Sequence, residues 1–288
     1  MPRIHKEEMF RKEIYRLIKL GVLQEVRESE WGASTFIIPK KKNTMRFISD
    51  FRKLNTMIKR KPYPIPVIGE ILSQLEGFKY ATTLDLNMEY YTLRLSTEAS
   101  KMCTIVTEFG KFEYLRLPMG VKCSPDIFQS KINEMLGDID AVRAYLDDVL
   151  VLAKGNFKDH LTQVQEVLKR LQKAGLKVNA DKSSFGVHEF EYLGYIINRE
   201  GIKPDPKKIE AIMKLERPTI NTEVRCLVGM VQFYRDMWKR CSHILAPFTD
   251  LASGPKQKKI KWTPDLEKAF QDIKKAIATD KLLHYPDW

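Results

Sequence analysis

Apolar and polar residues along this chain switch between a helical and an alternating period. Over residues 6–20, Phe10, Ile14, Leu17 and Ile18 recur at helical spacing, and Gly21 stands where that helix would end. Two short apolar runs follow, Thr35-Phe36-Ile37-Ile38-Pro39 and Met45-Arg46-Phe47-Ile48. They flank the basic tip Lys40-Lys41-Lys42-Asn43-Thr44, so the stretch predicts a β-hairpin that presents cations. The prolines of Lys61-Pro62-Tyr63-Pro64-Ile65-Pro66 exclude regular helix and predict an extended passage between subdomains. A helix is expected over residues 67–75, with Gly77 after it. Thr82-Thr83-Leu84-Asp85-Leu86-Asn87 reads as a short strand carrying one acid. Residues 111–117 alternate as a strand, and Pro118-Met119-Gly120 breaks it. A helix then starts with Ser124 as N-cap and Pro125 at its first position. Ile127, Phe128, Ile132, Met135 and Leu136 give it an apolar face, and Gly137 closes it.

In the second half, Ala144-Tyr145-Leu146-Asp147-Asp148-Val149-Leu150-Val151-Leu152 is a strand-favouring apolar run interrupted by two acids. A helix over residues 159–174 follows, faced by Leu161, Val164, Leu168 and Leu171 and capped by Gly175. Residues 176–179 read as a short strand, residues 190–197 as another, and Asn198-Arg199-Glu200-Gly201 as a turn. Beyond Pro204 the pattern is helical, over residues 206–215, 222–238 and 263–279, with a basic linker at 256–261. The predicted class is α+β with a separate helical subdomain.

Burying two like charges together is costly unless a cation neutralises them. Neighbouring strand residues point to opposite faces, so Asp147 and Asp148 can converge only at a tight turn. The pattern predicts a hairpin whose tip, Asp147-Asp148, meets a divalent metal; the plainer alternative is a surface turn. Asp85 supplies a third carboxylate, and three carboxylates with phosphates and water suit the oxygen shell of Mg²⁺.

Composition adds less. A formal net charge of +12 favours a polyanionic partner such as nucleic acid, although lysine-rich surfaces also serve solubility. Cys103, Cys123, Cys226 and Cys241 form no Cys-x-x-Cys pair, which argues against zinc and a disulfide framework. No apolar run reaches the roughly eighteen residues of a membrane span, and Met1-Pro2-Arg3-Ile4-His5 is not a signal segment.

One order of motifs joins these signals. A basic hairpin with Arg46 precedes a strand acid, Asp85, with Tyr90 five residues on. Leu-Pro-x-Gly before a Ser-Pro helix start follows, then Tyr-x-Asp-Asp, a Gly-Leu…Lys segment and Tyr-Leu-Gly-Tyr. That order resembles the reverse transcriptases of gypsy-like long-terminal-repeat retrotransposons (Metaviridae). Residues 34–54 and Phe233-Tyr234-Arg235-Asp236-Met237-Trp238 look like that group as well.

The resemblance implies a right-hand polymerase fold with a ferredoxin-like palm sheet and a helical thumb. Fingers would take residues 1–60 and 93–123, palm 61–92 and 124–200, and thumb 201–256, with 257–288 a linker toward a missing ribonuclease H domain. It implies an RNA- and DNA-directed DNA polymerase from a polyprotein whose ribonuclease H and integrase are absent here. The implied partners are a primed RNA or DNA template and deoxynucleoside triphosphates, with no membrane, in a cytoplasmic retroelement particle. A homodimer is left open.

Residue roles carry over by motif. Asp85, Asp147 and Asp148 match three carboxylates that hold two Mg²⁺ ions, or Mn²⁺, and Lys182 matches a lysine that protonates the leaving pyrophosphate. Lys41 and Arg46 match cations on the triphosphate, Tyr90 an aromatic that excludes the ribose 2′-hydroxyl, and Met119-Gly120 the residues beneath base and sugar. Asp50 and Arg52 match template contacts, and Leu193-Gly194 the turn that grips the primer. Glu89 departs from the Gly or Ala of the group and puts an anion beside the expected nucleotide site. The rival expectation is a decayed copy that binds nucleic acid without polymerising. The three intact aspartates argue against it.

Overall fold

A computed structural model describes residues 3–39, 45–238, 240–278 and 283–284. In chain order it begins with α1 (Arg3–Lys19), β1 (Leu23–Val26), β2 (Ala33–Pro39), β3 (Met45–Ser49), α2 (Arg52–Met57) and α3 (Ile68–Ser73). Next come β4 (Tyr80–Asn87), a 3₁₀ turn Glu89–Thr92, α4 (Thr97–Met102), β5 (Thr104–Thr107), β6 (Gly110–Tyr114) and α5 (Ser124–Leu136). The hairpin β7 (Val142–Tyr145) and β8 (Asp148–Ala153) precedes α6 (Phe157–Lys173), β9 (Lys177–Val178), a 3₁₀ turn Ala180–Lys182 and β10 (Ser184–Val187). Strands β11 (Glu189–Tyr192), β12 (Tyr195–Asn198) and β13 (Gly201–Pro204) lead to α7 (Pro206–Met213), α8 (Asn221–Phe233), α9 (Cys241–Ser253), α10 (Pro264–Ala278) and β14 (Leu283–His284).

The chain divides into two compact units, Met1–Val67 with Tyr80–Gly186, and Ile68–Lys79 with Val187–Trp288. The first unit holds two sheets. In one, ordered β1-β6-β5-β2-β3, the expected hairpin forms, with Thr35 opposite Ser49 and Pro39 opposite Met45. Phe10, Ile14 and Leu17 of α1 bury in a core with Ile37, Phe51, Ile105 and Phe112, because their spacing keeps them on one helix face. The second sheet runs β10-β4-β8-β7, with β9 also on β4. Leu84, Val149 and Val151 of this sheet pack with Phe128, Ile132 and Leu136 of α5 and Val164, Val167 and Leu171 of α6. Each such side chain contributes about 1.5–3 kcal/mol of burial, before the entropy of ordering it.

The second unit encloses its own apolar residues. Segment 68–79 supplies Ile71, Leu72, Leu75 and Phe78, and the Phe78 ring meets Phe190 edge-on at 5.5 Å. Strands β11 to β14 form an antiparallel sheet. Val224, Leu227, Val231, Leu245, Phe248, Phe270 and Ile273 are buried on α8, α9 and α10.

Several expectations change. Ser124 is not the N-cap of α5: Cys123 holds that place, and the Ser124 hydroxyl is buried and donates to the Pro118 carbonyl. Ile127 falls off the buried stripe of α5 and is exposed, because Phe128, Ile132 and Leu136 set that stripe. Helix α6 starts earlier than expected, with Asn156 and Asp159 in a reciprocal capping box. Its buried face is His160, Val164, Val167 and Leu171, which leaves Leu161 exposed. Residues 190–197 are not one strand but β11 and β12, folded back at Leu193-Gly194. The helix expected to reach residue 238 ends at Phe233, and a 3₁₀ turn follows. All four cysteines are free thiols. No helix among the described residues is long and apolar enough to cross a membrane.

Candidate active site

Strands β4 and β8 pair antiparallel in a register that places Asp85 opposite Asp148. Directly opposed residues of an antiparallel pair share a face, with Cβ atoms about 4.5–5.5 Å apart, so two carboxylates there repel. The tip of the β7–β8 hairpin is Leu146-Asp147, one residue earlier than expected, because Tyr145 already pairs with Asp148. Leu146 takes φ 52°, a left-handed conformation disfavoured for a residue with a Cβ. The Leu86 N–H donates to the Asp147 carbonyl at 2.9 Å, which ties the turn to the residue after Asp85. Backbone pairing thus gathers all three aspartates at one end of the sheet.

Lys182 joins them from the 3₁₀ turn Ala180–Lys182. Its ammonium donates to both Asp85 oxygens, at 3.1 and 3.2 Å. The segment is fixed to the same residue by backbone: Asn179 N–H donates to the Asp85 carbonyl at 2.8 Å, and Asp85 N–H to the Ser183 hydroxyl at 3.2 Å. Among the described residues no three acid, imidazole or thiol side chains close tightly enough to enclose a metal ion. With a lysine on one carboxylate and repulsion among the three, an open arrangement is the physical expectation. The donor set itself is all carboxylate oxygen, which fits a hard divalent cation, and the ammonium stands in for part of that charge.

A cavity of about 540 Å³ brings together Arg46, Tyr90, Met119 and Gly120, four of the residues assigned to the nucleotide. Tyr91, Tyr114 and Lys122 line it as well. The Tyr90 ring meets Phe128 edge-on at 5.4 Å. Gly120 has φ +94°, a backbone conformation that disfavours a side chain, and a Cβ there would touch the Ser49 carbonyl at 3.4 Å. Asn55 braces this loop, donating to the Gly120 carbonyl and accepting from Lys122 N–H, each at 2.8 Å. Lys41 lies outside the described residues. Glu89 opens the turn Glu89–Thr92, after Met88 at φ 54°.

The remaining predicted residues lie elsewhere. Asp50 and Arg52 pair with each other beside Trp31, Met57 and Met102, lining a separate cavity of about 550 Å³. The Arg52 guanidinium pulls the Asp50 carboxyl down to about 2. Leu193 and Gly194 belong to the second unit, at φ 49° and 84°, in the turn between β11 and β12. The Tyr234 hydroxyl donates to the Gly194 carbonyl at 2.7 Å and fixes that turn.

Residues 38–197 match the family profile described as reverse transcriptase (RNA-dependent DNA polymerase), which is more than half of the chain. The chain belongs to the reverse transcriptase family. Among curated relatives of this reverse transcriptase chain, the Pol polyprotein of transposon opus from Drosophila melanogaster is 33% identical over 96% of the chain and 29% of the polyprotein. That of transposon gypsy, from the same fly, is 32% identical over 96% and 28%. The Tf2-3 polyprotein of Schizosaccharomyces pombe is 29% identical over 98% and 21%. The chain therefore spans less than a third of these relatives' length. Two solved foamy viral protease-reverse transcriptases share the fold. One, a dRH form in complex with ds DNA, has TM-score 0.86 and 25% identity over 94% of this chain and 48% of its own. The other, in complex with dsDNA, has TM-score 0.88 and 24% identity over 98% and 59%. The gypsy-like resemblance read from the motif order agrees with these relatives.

Three residues of this reverse transcriptase chain were not singled out in the sequence: Asn55, Tyr234 and Gln129. Tyr234 lies inside the stretch Phe233-Tyr234-Arg235-Asp236-Met237-Trp238, and Asn55 stands one residue past the stretch 34–54. Gln129 left a weaker signal, an uncharged polar residue on a helix whose other face carries the apolar stripe.

Proposed function

We propose that this chain is the polymerase part of a retrotransposon Pol polyprotein, extending a primer with deoxynucleoside triphosphates on an RNA or DNA template. The register that sets Asp85 opposite Asp148, with Asp147 tied to the residue beside Asp85, carries this reading. Fingers, palm and thumb take the boundaries given from the sequence. The dsDNA held by the foamy viral relative and the +12 charge support a nucleic-acid duplex as partner.

Asp85, Asp147 and Asp148 would hold two Mg²⁺ or Mn²⁺ ions, which when bound supply charge stabilisation for the attacking 3′-oxygen and the leaving pyrophosphate. Lys182 holds a proton at Nζ beside Asp85 and would pass it to the pyrophosphate. Arg46, facing the 540 Å³ cavity, would take the triphosphate, because a guanidinium binds phosphate through paired hydrogen bonds. The Tyr90 ring, backed by Phe128, would occupy the space a 2′-hydroxyl needs. Gly120 offers a surface without a side chain on which a sugar can rest. The chain's contribution is mainly positioning and fixed charge.

Primer extension on RNA and on DNA templates tests the reading. Wild type should add deoxynucleotides with Mg²⁺ or Mn²⁺, and Asp147→Asn should fold but not extend, since the amide keeps the shape and loses the charge. Near wild-type extension by Asp147→Asn would remove the metal assignment.

A further inference from the structure

Gln129 sits on the first half of α5 and is fully buried. Its side-chain oxygen accepts from the Leu146 N–H at 2.8 Å. Its amino group donates to the Ala144 carbonyl at 3.0 Å and to Asn133 Oδ1 at 2.9 Å. The two backbone groups it holds flank Tyr145, in the turn that leads into Asp147-Asp148. An apolar side chain could fill the same space, and a buried amide costs desolvation unless every polar atom is paired. Here they are paired, and onto one object, the backbone of the acidic turn.

That turn needs holding. Leu146 stands at φ 52°, where a Cβ is unfavourable, and such strain persists only when the surroundings over-determine it. The amide is itself fixed. Asn133, one turn further along α5, accepts from Gln129 and donates to the Tyr63 hydroxyl at 3.2 Å. One turn earlier, Asp126 accepts from Arg60 at 2.7 and 2.9 Å and from the Tyr63 N–H at 3.1 Å. The polar face of α5 therefore runs from the proline-rich passage to the acidic hairpin.

We propose that Gln129 is a positioning residue for the acidic turn. It holds Leu146 in its left-handed conformation, so that Asp147 and Asp148 are set beside Asp85 before a divalent cation binds. Asn133 supports it by fixing which end of the amide faces Leu146. The proposal rests on the reading of the three aspartates as the metal site. Its physical content is preorganisation: carboxylates already gathered need no ordering when the cation arrives.

Mn²⁺ titrated into the protein alone, followed by electron paramagnetic resonance, tests it beside single-nucleotide extension at varied Mg²⁺. Gln129→Met keeps the volume and removes the hydrogen bonds. Its Mn²⁺ affinity should weaken about tenfold, kcat should fall about tenfold, and the Mg²⁺ for half-maximal rate should rise, with primer–template Kd within about twofold of wild type. Asn133→Ala should move the same quantities the same way by less. Wild-type Mn²⁺ affinity and Mg²⁺ requirement in folded Gln129→Met overturn the proposal, as does a loss confined to primer–template Kd. If Gln129→Met melts below the assay temperature, Asn133→Ala decides, and an unchanged Mg²⁺ requirement there overturns it. Asp147→Asn separates the two layers. If it binds Mn²⁺ like wild type, the metal reading itself fails; if it loses binding while Gln129→Met keeps it, only the role of Gln129 fails.

Discussion

The Lys182 ammonium bridges both carboxylate oxygens of Asp85, so one side chain occupies the charge a divalent cation would neutralise. The lysine side chain is 65% exposed and the aspartate 22%, so the pair adds under about 1 kcal/mol to stability. Lys182→Met should thus leave the melting temperature nearly unchanged. It should lower kcat by about 10²-fold, the scale of a lost general acid. Half-saturation by Mg²⁺ should move to lower concentration, because the competing cation is gone. Extension rates across a Mg²⁺ titration check both, and a parallel loss of rate and metal affinity would contradict the competition.

Tyr90 sits where its ring is held edge-on against Phe128 and faces the cavity with Arg46, Met119 and Gly120. Tyr90→Ala should raise ribonucleotide use relative to deoxynucleotide use by about tenfold or more, a change of about 1.4 kcal/mol or more in discrimination. Paired kinetics with one nucleotide in both sugar forms give the ratio. An unchanged ratio with retained activity would return Tyr90 to core packing.

Glu89 begins the turn that carries Tyr90, directly after Met88 in a left-handed conformation. Two unit charges about 6 Å apart repel by about 3 kcal/mol at an effective dielectric of 20, and bound cations and solvent remove part of that. Glu89→Gly should lower the nucleotide KM, by up to about tenfold. Steady-state kinetics with one varied nucleotide decide, and an equal or higher KM rejects the repulsion.

His160 is buried under Tyr80 and Phe157, its Nε2 2.8 Å from the Thr82 hydroxyl and its Nδ1 unpaired among the described residues. Burial holds its pKa below the ordinary 6.5. The unfolded chain therefore takes up a proton first as pH falls. The stability that neutral His160 contributes is complete above about pH 6.5 and declines below it, through the lowered folded value. Melting temperatures over pH 5 to 8 should fall on the acid side, and His160→Gln should flatten that part of the curve. An identical slope in both would place the acid sensitivity elsewhere.

Local pattern revealed what local chemistry determines. The hairpin of β2 and β3, the strand under Asp85 and the acidic turn follow from apolar runs and their interruptions. The four cavity residues were legible only through motif resemblance, since Arg46, Tyr90, Met119 and Gly120 come from three separate parts of the chain. Gln129 is barely legible because, apart from Asn133 one turn along its own helix, its partners are backbone groups of a distant turn, which no side-chain pattern reports. Residues 190–197 read as one strand because they form one apolar run, yet Tyr192 and Tyr195, which a single strand would point to opposite faces, are both buried, and that change of phase is what the fold at Leu193-Gly194 produces. Ser124 had the right composition for a cap but is pulled inward by the Pro118 carbonyl.

Segment 68–79 is made early and belongs with residues made late. A ribosome adding about 5–20 residues per second takes about 5–20 s to cross the intervening stretch 80–186. Throughout that interval Ile71, Leu72, Leu75 and Phe78 have emerged without the partners that finally cover them. The first sheet of the first unit, whose last strand ends at Tyr114, can form meanwhile, which leaves this apolar segment for chaperones to shield. Birth order, more than final stability, is then the point at which truncated or slowly translated copies of the chain would be lost to aggregation.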